Sequence, residues 1–532
     1  MIFYAMTYVL NFFKRVTRKR SVSLLNYLLF YSFISLVLYH WPLVSYVFEN
    51  VDYKSSGSSS LIASVLIAHI CINVIFLSFI SLSGINVPRH LGALFFIGNS
   101  IALYFMVSYN IMLDKTMMGN VLNTNSAEAL DLYHPKIFLY IIFFGILPAL
   151  YLYRFKILKT RLWKKLIIII CALLIAVIWA FLNSSTWLWF DKHSKHLGAR
   201  ILPWNYTINS LRYYLEQREK PKLKLLSDLY FEETEDTLVV LVIGEAARRA
   251  NFSLYGYQRP TNRQLSQQDS LTALKATSCS TYTTASIECM LSHQGSKKGF
   301  TRYENLPSYL NRFGVKVLWR TANWGEPEMQ VDLFQKKREI ANINDKKCKN
   351  MHYDEALLCS LAEQIENLHG KRTLVVLHQG GSHGPLYSKK YPKEFEYFTP
   401  SCKTVELQKC SQEELVNAYD NTILYNDHFL NALIEILKQE KKRVLMLYMS
   451  DHGESLGEKG FYLHGTPKQI APRYQYEIPF LVWTNEEFRK TRQLKPRQKE
   501  YTQDVIFHSI LGAFAGKSQD YNPELDIFEN KR

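Results

Sequence analysis

The run VLMLYMSDHGESLGEKGFYLHG, residues 444–465, passes from apolar sequence straight into Ser450, Asp451, His452, Gly453 and Glu454, with His464 following. A carboxylate beside an imidazole, followed by a glycine that permits a tight turn, is a ligand pair suited to Zn²⁺, with Mn²⁺ or Mg²⁺ as alternatives. A lone histidine is more often structural. The pair gains meaning because metal- or phosphate-binding residue types end other apolar runs too: Glu245 after TLVVLVIG, Asn323 after VKVLWRTA, and His383 in RTLVVLHQGGSHG.

A catalytic zinc site keeps one position for the reacting group. The hydroxyl-rich stretch TSCSTYTTASIECMLSH, residues 277–293, supplies oxygen nucleophiles, and a helix starting near Thr283 or Thr284 would favour a phosphate through its free N–H groups and dipole. Residue physics alone leaves Thr281, Thr283 and Thr284 all open.

These residues need elements to position them. Short Val/Leu/Ile-rich runs at 237–245, 315–323, 372–384, 443–453 and 478–483 alternate with helical stretches, which predicts a mainly parallel sheet covered on both faces. Ligands gather at the carboxyl ends of the strands in such a sheet. The expected fold is a five-helix transmembrane domain (1–190), a linker with an amphipathic helix (191–235) and a soluble α/β domain (236–532).

The five spans rest on residues 21–48, 61–86, 91–113, 137–153 and 166–190, none of which contains Lys, Arg, Asp or Glu. Each has about the ~17–25 residues that cross a bilayer as a helix. Lys14, Arg15, Arg18, Lys19 and Arg20 precede the first, and Arg154, Lys156, Lys159, Arg161, Lys164 and Lys165 crowd the link before the last. Positive flanks stay cytoplasmic. An odd number of spans then places everything after 190 on the far side. The formal charge of +16 reflects this topology and favours an anionic membrane surface; no nucleic-acid partner is expected, and the chain is expected to be monomeric.

Cysteine usage tests the compartment separately. Cys71 and Cys171 lie in spans, while Cys279 and Cys289, Cys348 and Cys359, and Cys402 and Cys410 stand as close neighbours. Without any C-x-x-C spacing they read as three local disulfides in an oxidising space.

With these stretches in view, the chain resembles the phosphoethanolamine transferases of the lipid A modifying type, the family of the mobile colistin-resistance enzymes. The matching stretches are VIGEAARRANFSLYGYQRPTN (242–262), SCSTYTTASIECM (278–290), VLHQGGSHGPLY (376–387), 399–430 and SDHGESLGEKGFYLHGTP (450–467). The resemblance implies an alkaline-phosphatase/sulfatase-like catalytic domain in the Gram-negative inner membrane, facing the periplasm. It puts Glu245, Asp451 and His452 on the zinc ligands, Thr283 on the nucleophile, and His383 and His464 on second-metal or substrate-phosphate positions. It also implies that Asn120, Thr124 and Glu128, which recur every four residues and would share a helix face, hold the ethanolamine headgroup of phosphatidylethanolamine, and that lipid A is the acceptor.

Two departures limit the carry-over. Relatives place a lysine four residues after the asparagine matched by Asn323, where this chain has Pro327, and Tyr282 is bulkier than the usual residue beside the nucleophile. Rival readings are transfer to core oligosaccharide, flagellar protein or glucan, a five-span glycerophosphotransferase, and a non-catalytic envelope sensor.

Overall fold

The computed structural model describes residues 20–531 except 52–57, 125–131, 219–221, 233–234, 298–300, 342–347, 349–350 and 497–498. It divides into two compact units, Met1–Gly119 with Tyr133–Tyr214, and Asn120–Leu132 with Leu215–Arg532.

All five charge-free segments of the first unit form helices. Among the described residues, however, only three are long and apolar enough to cross a membrane: α3 (Ser58–Ile80), α4 (Val87–Tyr109) and α6 (Leu162–Leu182). The first expected span is broken. Helix α1 (Leu24–Tyr39) gives way at His40 to α2 (Trp41–Asn50) with a bend of 69°, and the pair makes a fourth candidate only if counted as one. Pro42 explains the break, since it lacks the N–H that would bond one turn back and its ring clashes there. The remaining segment, α5 (Lys136–Leu152), falls among the shorter apolar helices. It contains a π-helical stretch at Ile141–Ile146 just before Pro148. Pro148 cannot donate to the carbonyl of Phe144, and the Tyr39 hydroxyl donates to that carbonyl instead. Inside a bilayer such a replacement is required, because no water is present to take the orphaned group. Length and composition thus support three spans, or four with the bent pair counted as one, where five were expected.

A two-residue-spaced pattern would not have shown how the ends meet. Arg20–Val22 pairs in parallel with Phe155–Ile157, so the flank of α1 and the basic link before α6 lie at one end of this unit. The cluster Lys14–Lys19 lies outside the described residues.

The second unit is built on an eight-stranded sheet: β1 (Thr237–Gly244), β2 (Leu271–Thr277), β3 (Lys316–Thr321), β4 (Leu333–Lys336), β5 (Arg372–His378), β6 (Arg443–Ser450), β7 (Glu477–Thr484) and β8 (Tyr501–Thr502), in the order 8-2-7-6-1-5-3-4. Strands β6, β1, β5, β3 and β4 are mutually parallel. The sheet is mixed, because β7, expected to run with the others, pairs antiparallel with both β6 and β2. Its continuous apolar sequence carries burial on both faces but no direction. Consequently β2 runs with the parallel core, and the entire β6–β7 connection, 451–476, stays at the carboxyl edge. Every residue of β1 and β6 is buried. Helices α7 (Thr283–Met290), α8 (Gln412–Leu437) and α9 (Val505–Ala513) belong to this unit, and α8 opens on a capping box at Ser411 and Glu414.

The three disulfides form as read from the sequence: Cys279–Cys289, Cys348–Cys359 and Cys402–Cys410.

Candidate metal centre

Five strand ends supply the site. β1 ends at Glu245, β3 leads to Asn323, β5 to the turn carrying His383, and β6 to Asp451 and His452. The fifth, β2, leads through Ser278–Tyr282 into α7 at Thr283, and was not picked out as a strand from sequence. Gly381 lies against the first of these ends; a Cβ there would sit 2.6 Å from the Glu245 carbonyl, and its φ of +46° suits glycine. Asp354 accepts from the Gly380 and Gly381 amides at 3.0 and 2.9 Å and fixes that turn.

Glu245, Asp451, His452 and Thr283 are brought together and buried. His452 Nε2 lies 3.3 Å from Glu245 Oε1 and 3.3 Å from Asp451 Oδ2. The Thr283 hydroxyl donates to Glu245 Oε2 at 3.2 Å and lies 3.3 Å from His452 Nε2. Supports stand behind each ligand. His452 Nδ1 donates to the Gly453 carbonyl at 2.9 Å, so Nε2 is the nitrogen turned inward. Asp451 Oδ1 accepts from the Ala246 amide at 3.0 Å, and Asn323 Nδ2 donates to Glu245 Oε2 at 2.6 Å.

Two atoms are left over. Glu245 Oε1 and Asp451 Oδ2 are buried without a hydrogen-bond partner. Orphaned carboxylate oxygens in a buried site are costly unless a cation meets them. Burial alone would raise Glu245, but the adjoining His452 charge outweighs it and holds this carboxyl well below the usual range. Burial, reinforced by the Glu245 charge, pushes Asp451 up to about 7. Burial disfavours the charged imidazole of His452, yet Asp451 and Glu245 prevail and push it up to about 10. Two carboxylates thus compete for one positive charge. The ligand atoms of all three lie within 4.8 Å of one another. Two oxygens, one imidazole nitrogen and a nearby hydroxyl fit a zinc ion with one position left for the reacting group.

The three candidate threonines separate. Thr281 donates its hydroxyl to the Thr466 carbonyl at 2.6 Å, Thr284 packs its methyl towards Gly325, and Thr283 alone among them reaches Glu245 and His452. His383 and His464 stand next to the ligand set: the His464 ring centroid is 4.2 Å from that of His452 and 5.0 Å from that of His383. His464 Nδ1 meets Glu454 Oε2 at 3.0 Å. The membrane stripe fares differently. Asn120 lies in a helix that ends at Asn123, Thr124 bonds back to the Asn120 carbonyl at 2.8 Å, and Glu128 lies outside the described residues.

Sequence reasoning missed the pair behind Asn323. His378 Nδ1 meets Glu326 Oε1 at 2.9 Å, and its Nε2 is 3.2 Å from Asn323 Nδ2. Glu326 immediately precedes Pro327, the position at which the resemblance led to the expectation of a lysine. The run EPE was visible; its contact with a residue on β5 was not.

Comparison with known proteins decides the family. A phosphoethanolamine transferase EptA/EptB model matches residues 69–218, and a sulfatase model matches 237–517. The phosphoethanolamine transferase EptA of Helicobacter pylori is 42% identical over 96% of this chain and 98% of its own length. The chain belongs to the EptA family of phosphoethanolamine transferases. A second member, the phosphatidylethanolamine transferase Mcr-1 of Escherichia coli, is 35% identical, covering 79% of this chain and 82% of its own. The structure of the integral membrane lipooligosaccharide phosphoethanolamine transferase A (EptA) of Neisseria meningitidis superimposes with a TM-score of 0.87 at 28% identity, covering 96% of this chain and 98% of that one. As in other EptA-family enzymes, the chain joins a membrane domain to a sulfatase-type catalytic domain, and Glu245, Asp451, His452 and Thr283 all fall within the sulfatase match.

Proposed function

We propose that this enzyme transfers phosphoethanolamine from phosphatidylethanolamine to lipid A through a phosphoethanolaminyl-threonine at Thr283, with Glu245, Asp451 and His452 holding Zn²⁺. One observation carries the reading: a buried threonine hydroxyl lies within 3.3 Å of both an imidazole and a carboxylate that, with Asp451, leave two oxygens without partners. The donor named for Mcr-1 and the lipooligosaccharide acceptor named for the Neisseria enzyme support the two lipids.

Bound zinc would lower the pKa of a nearby hydroxyl and neutralise charge on phosphoryl oxygens. The protein groups supply position and proton control. The Gly453 carbonyl fixes the His452 tautomer, as outer partners of ligating imidazoles do. Asn323 keeps Glu245 turned towards the hydroxyl. Thr283 begins α7, whose unpaired N–H groups and dipole favour a phosphate. Thr283 Oγ attacks the donor phosphorus; the Oγ–P bond forms, the bond from phosphorus to the glycerol oxygen breaks, and diacylglycerol leaves with the hydroxyl proton. An acceptor oxygen of lipid A then attacks the same phosphorus, and Thr283 regains a proton from that acceptor. Covalent catalysis divides one hard displacement into two easier ones.

His383 and His464 are assigned to the transferred phosphate or a second metal, and Asn120, Thr124 and Glu128 to the donor headgroup. The catalytic domain is assigned to the periplasm, with the amino terminus cytoplasmic. The added ammonium lowers the negative charge of the envelope and so favours resistance to cationic peptides.

The test is adduct mapping. Full-length enzyme given phosphatidylethanolamine without acceptor is expected to carry phosphoethanolamine on the peptide containing Thr283, and to lose it when lipid A is added. Thr283→Ala should abolish transfer with zinc still bound, while Thr281→Ala turns over. An adduct on Thr284, or normal transfer by Thr283→Ala, overturns the nucleophile assignment.

A further inference from the structure

Strand β8 is two residues long and pairs only with the last two positions of β2, Tyr501 with Ala276 and Thr502 with Thr277. So short an edge strand adds little to the sheet. What it does is deliver the next residue, Gln503, beside the point where β2 becomes the nucleophile turn. Gln503 is completely buried. Its side-chain Oε1 accepts from the Cys279 amide at 2.8 Å, and its Nε2 donates to the Ser450 carbonyl at 3.0 Å and the Asp451 carbonyl at 2.7 Å. One amide therefore joins two segments that are far apart in sequence: the turn leading to Thr283, and the end of β6 that carries Asp451 and His452.

Beyond the Thr283–His452 contact at the site itself, other bonds at these segments run to different neighbours. The Cys279–Cys289 disulfide closes the nucleophile turn on its own helix, and Ser450 Oγ ties its own segment to Ala247 at 2.9 Å. The residue after Gln503 continues the arrangement: Asp504 accepts from the Ser296 amide at 3.0 Å beyond the far end of α7. Helix α9, buried along its whole length, then anchors this dipeptide in the core. The side chain is thus rigidly held, and both of its ends are used.

We propose that Gln503 is a positioning residue for phosphoryl transfer. It sets the distance and register between Thr283 and the Asp451–His452 pair without touching substrate. This rests on Thr283 being the nucleophile. Misplacing a reacting group by about 1 Å can cost on the order of 10²-fold in rate, so loss of this bridge acts on turnover rather than on substrate affinity.

The test uses the full-length enzyme in detergent with a fluorescent phosphatidylethanolamine donor, read as kcat and KM, with zinc content and unfolding temperature measured alongside. Gln503→Met keeps the shape and removes all three bonds. Gln503→Asn keeps the buried amide but is one methylene too short to hold both segments, and serves if the first variant folds poorly. For folded, zinc-loaded protein, kcat is expected to fall by about tenfold or more with KM within about twofold of the parent. Adduct formation on Thr283 should slow by the same factor. The proposal is overturned if kcat per folded molecule is unchanged, if KM rises while kcat holds, or if both variants lose activity only in proportion to lost zinc or lost folded protein. Failure of the nucleophile assignment would appear separately, as continued transfer by Thr283→Ala.

Discussion

Both units of this enzyme bury apolar clusters, but they differ in what else they bury and what they expose. In the membrane unit, Leu174, Ile175, Val177 and Phe181 of α6 are exposed, whereas Ser32, Ser35, His40, His69, Asn73 and Asn99 are buried. In the catalytic unit the strands bury Val, Leu and Ile completely, and the site's polar residues are gathered at the carboxyl edge of the sheet. The contrast follows from the solvent each unit meets. Lipid takes apolar surface at no cost, so helices there associate through packing and polar contacts. Water does not, so the sheet holds the domain together by apolar burial and leaves polarity for the site.

The largest effect expected from this contrast is at the edge itself. Asp451→Ala removes one of two competing carboxylates and is expected to abolish transfer and bound zinc, measured by donor turnover and metal analysis, while the helical content of the membrane unit stays as in the parent. Retained zinc at full stoichiometry would break the division of labour drawn here. Next comes one substitution made in both units. Leu241→Ala, at a position with 0% exposure, should cost about 2–5 kcal/mol in denaturant unfolding of the catalytic unit. Leu174→Ala, 52% exposed on α6, should change stability by less than about 0.5 kcal/mol in bilayer-like medium. Equal costs would mean that α6 is packed against protein in the working enzyme. Reduction of the short-loop disulfides should destabilise the catalytic unit by roughly 2–3 kcal/mol each, seen as a lower denaturant midpoint after thiol treatment. The smallest effect is Tyr39→Phe, which removes the bond to the Phe144 carbonyl beside Pro148. A polar contact within a membrane bundle is worth only about 0.6–1.7 kcal/mol, so a modest fall in thermal midpoint with unchanged transfer is expected.

What could be read from the sequence follows the same contrast. Strands β1, β3, β5 and β6 were legible because continuous Val/Leu/Ile runs end in residue types that do chemistry, and the cysteine pairs because their partners are near in the chain. Glu245, Asp451 and His452 were legible for the first reason. Strand β2, LTALKAT, is only partly buried along its length and was passed over. The direction of β7 has no local signal, since a strand buried on both faces reads the same either way. Gln503 and the Glu326–His378 pair act through partners 52 or more positions away, which no local pattern reports. In the membrane unit hydropathy located the apolar helices among the described residues, but it did not report that the first would bend by 69° beside Pro42.

The reversed strand β7 has a consequence for how such an enzyme can diversify. A parallel neighbour to β6 would need a crossover that carries the chain back to the opposite edge before it could re-enter the sheet. With β7 reversed, residues 451–476 never leave the edge, and within that one excursion lie Asp451, His452, Glu454, His464, Thr466 and Gln475. Asp451 and His452 stand where the excursion leaves β6, while its later part is tied to the nucleophile turn through the Gly465 amide on the Thr281 carbonyl and the Thr281 hydroxyl on the Thr466 carbonyl. A segment built this way can lengthen, shorten or change its side chains without disturbing strand register. Side chains along this edge can therefore change while the pairing of β6 with β7 stays as it is.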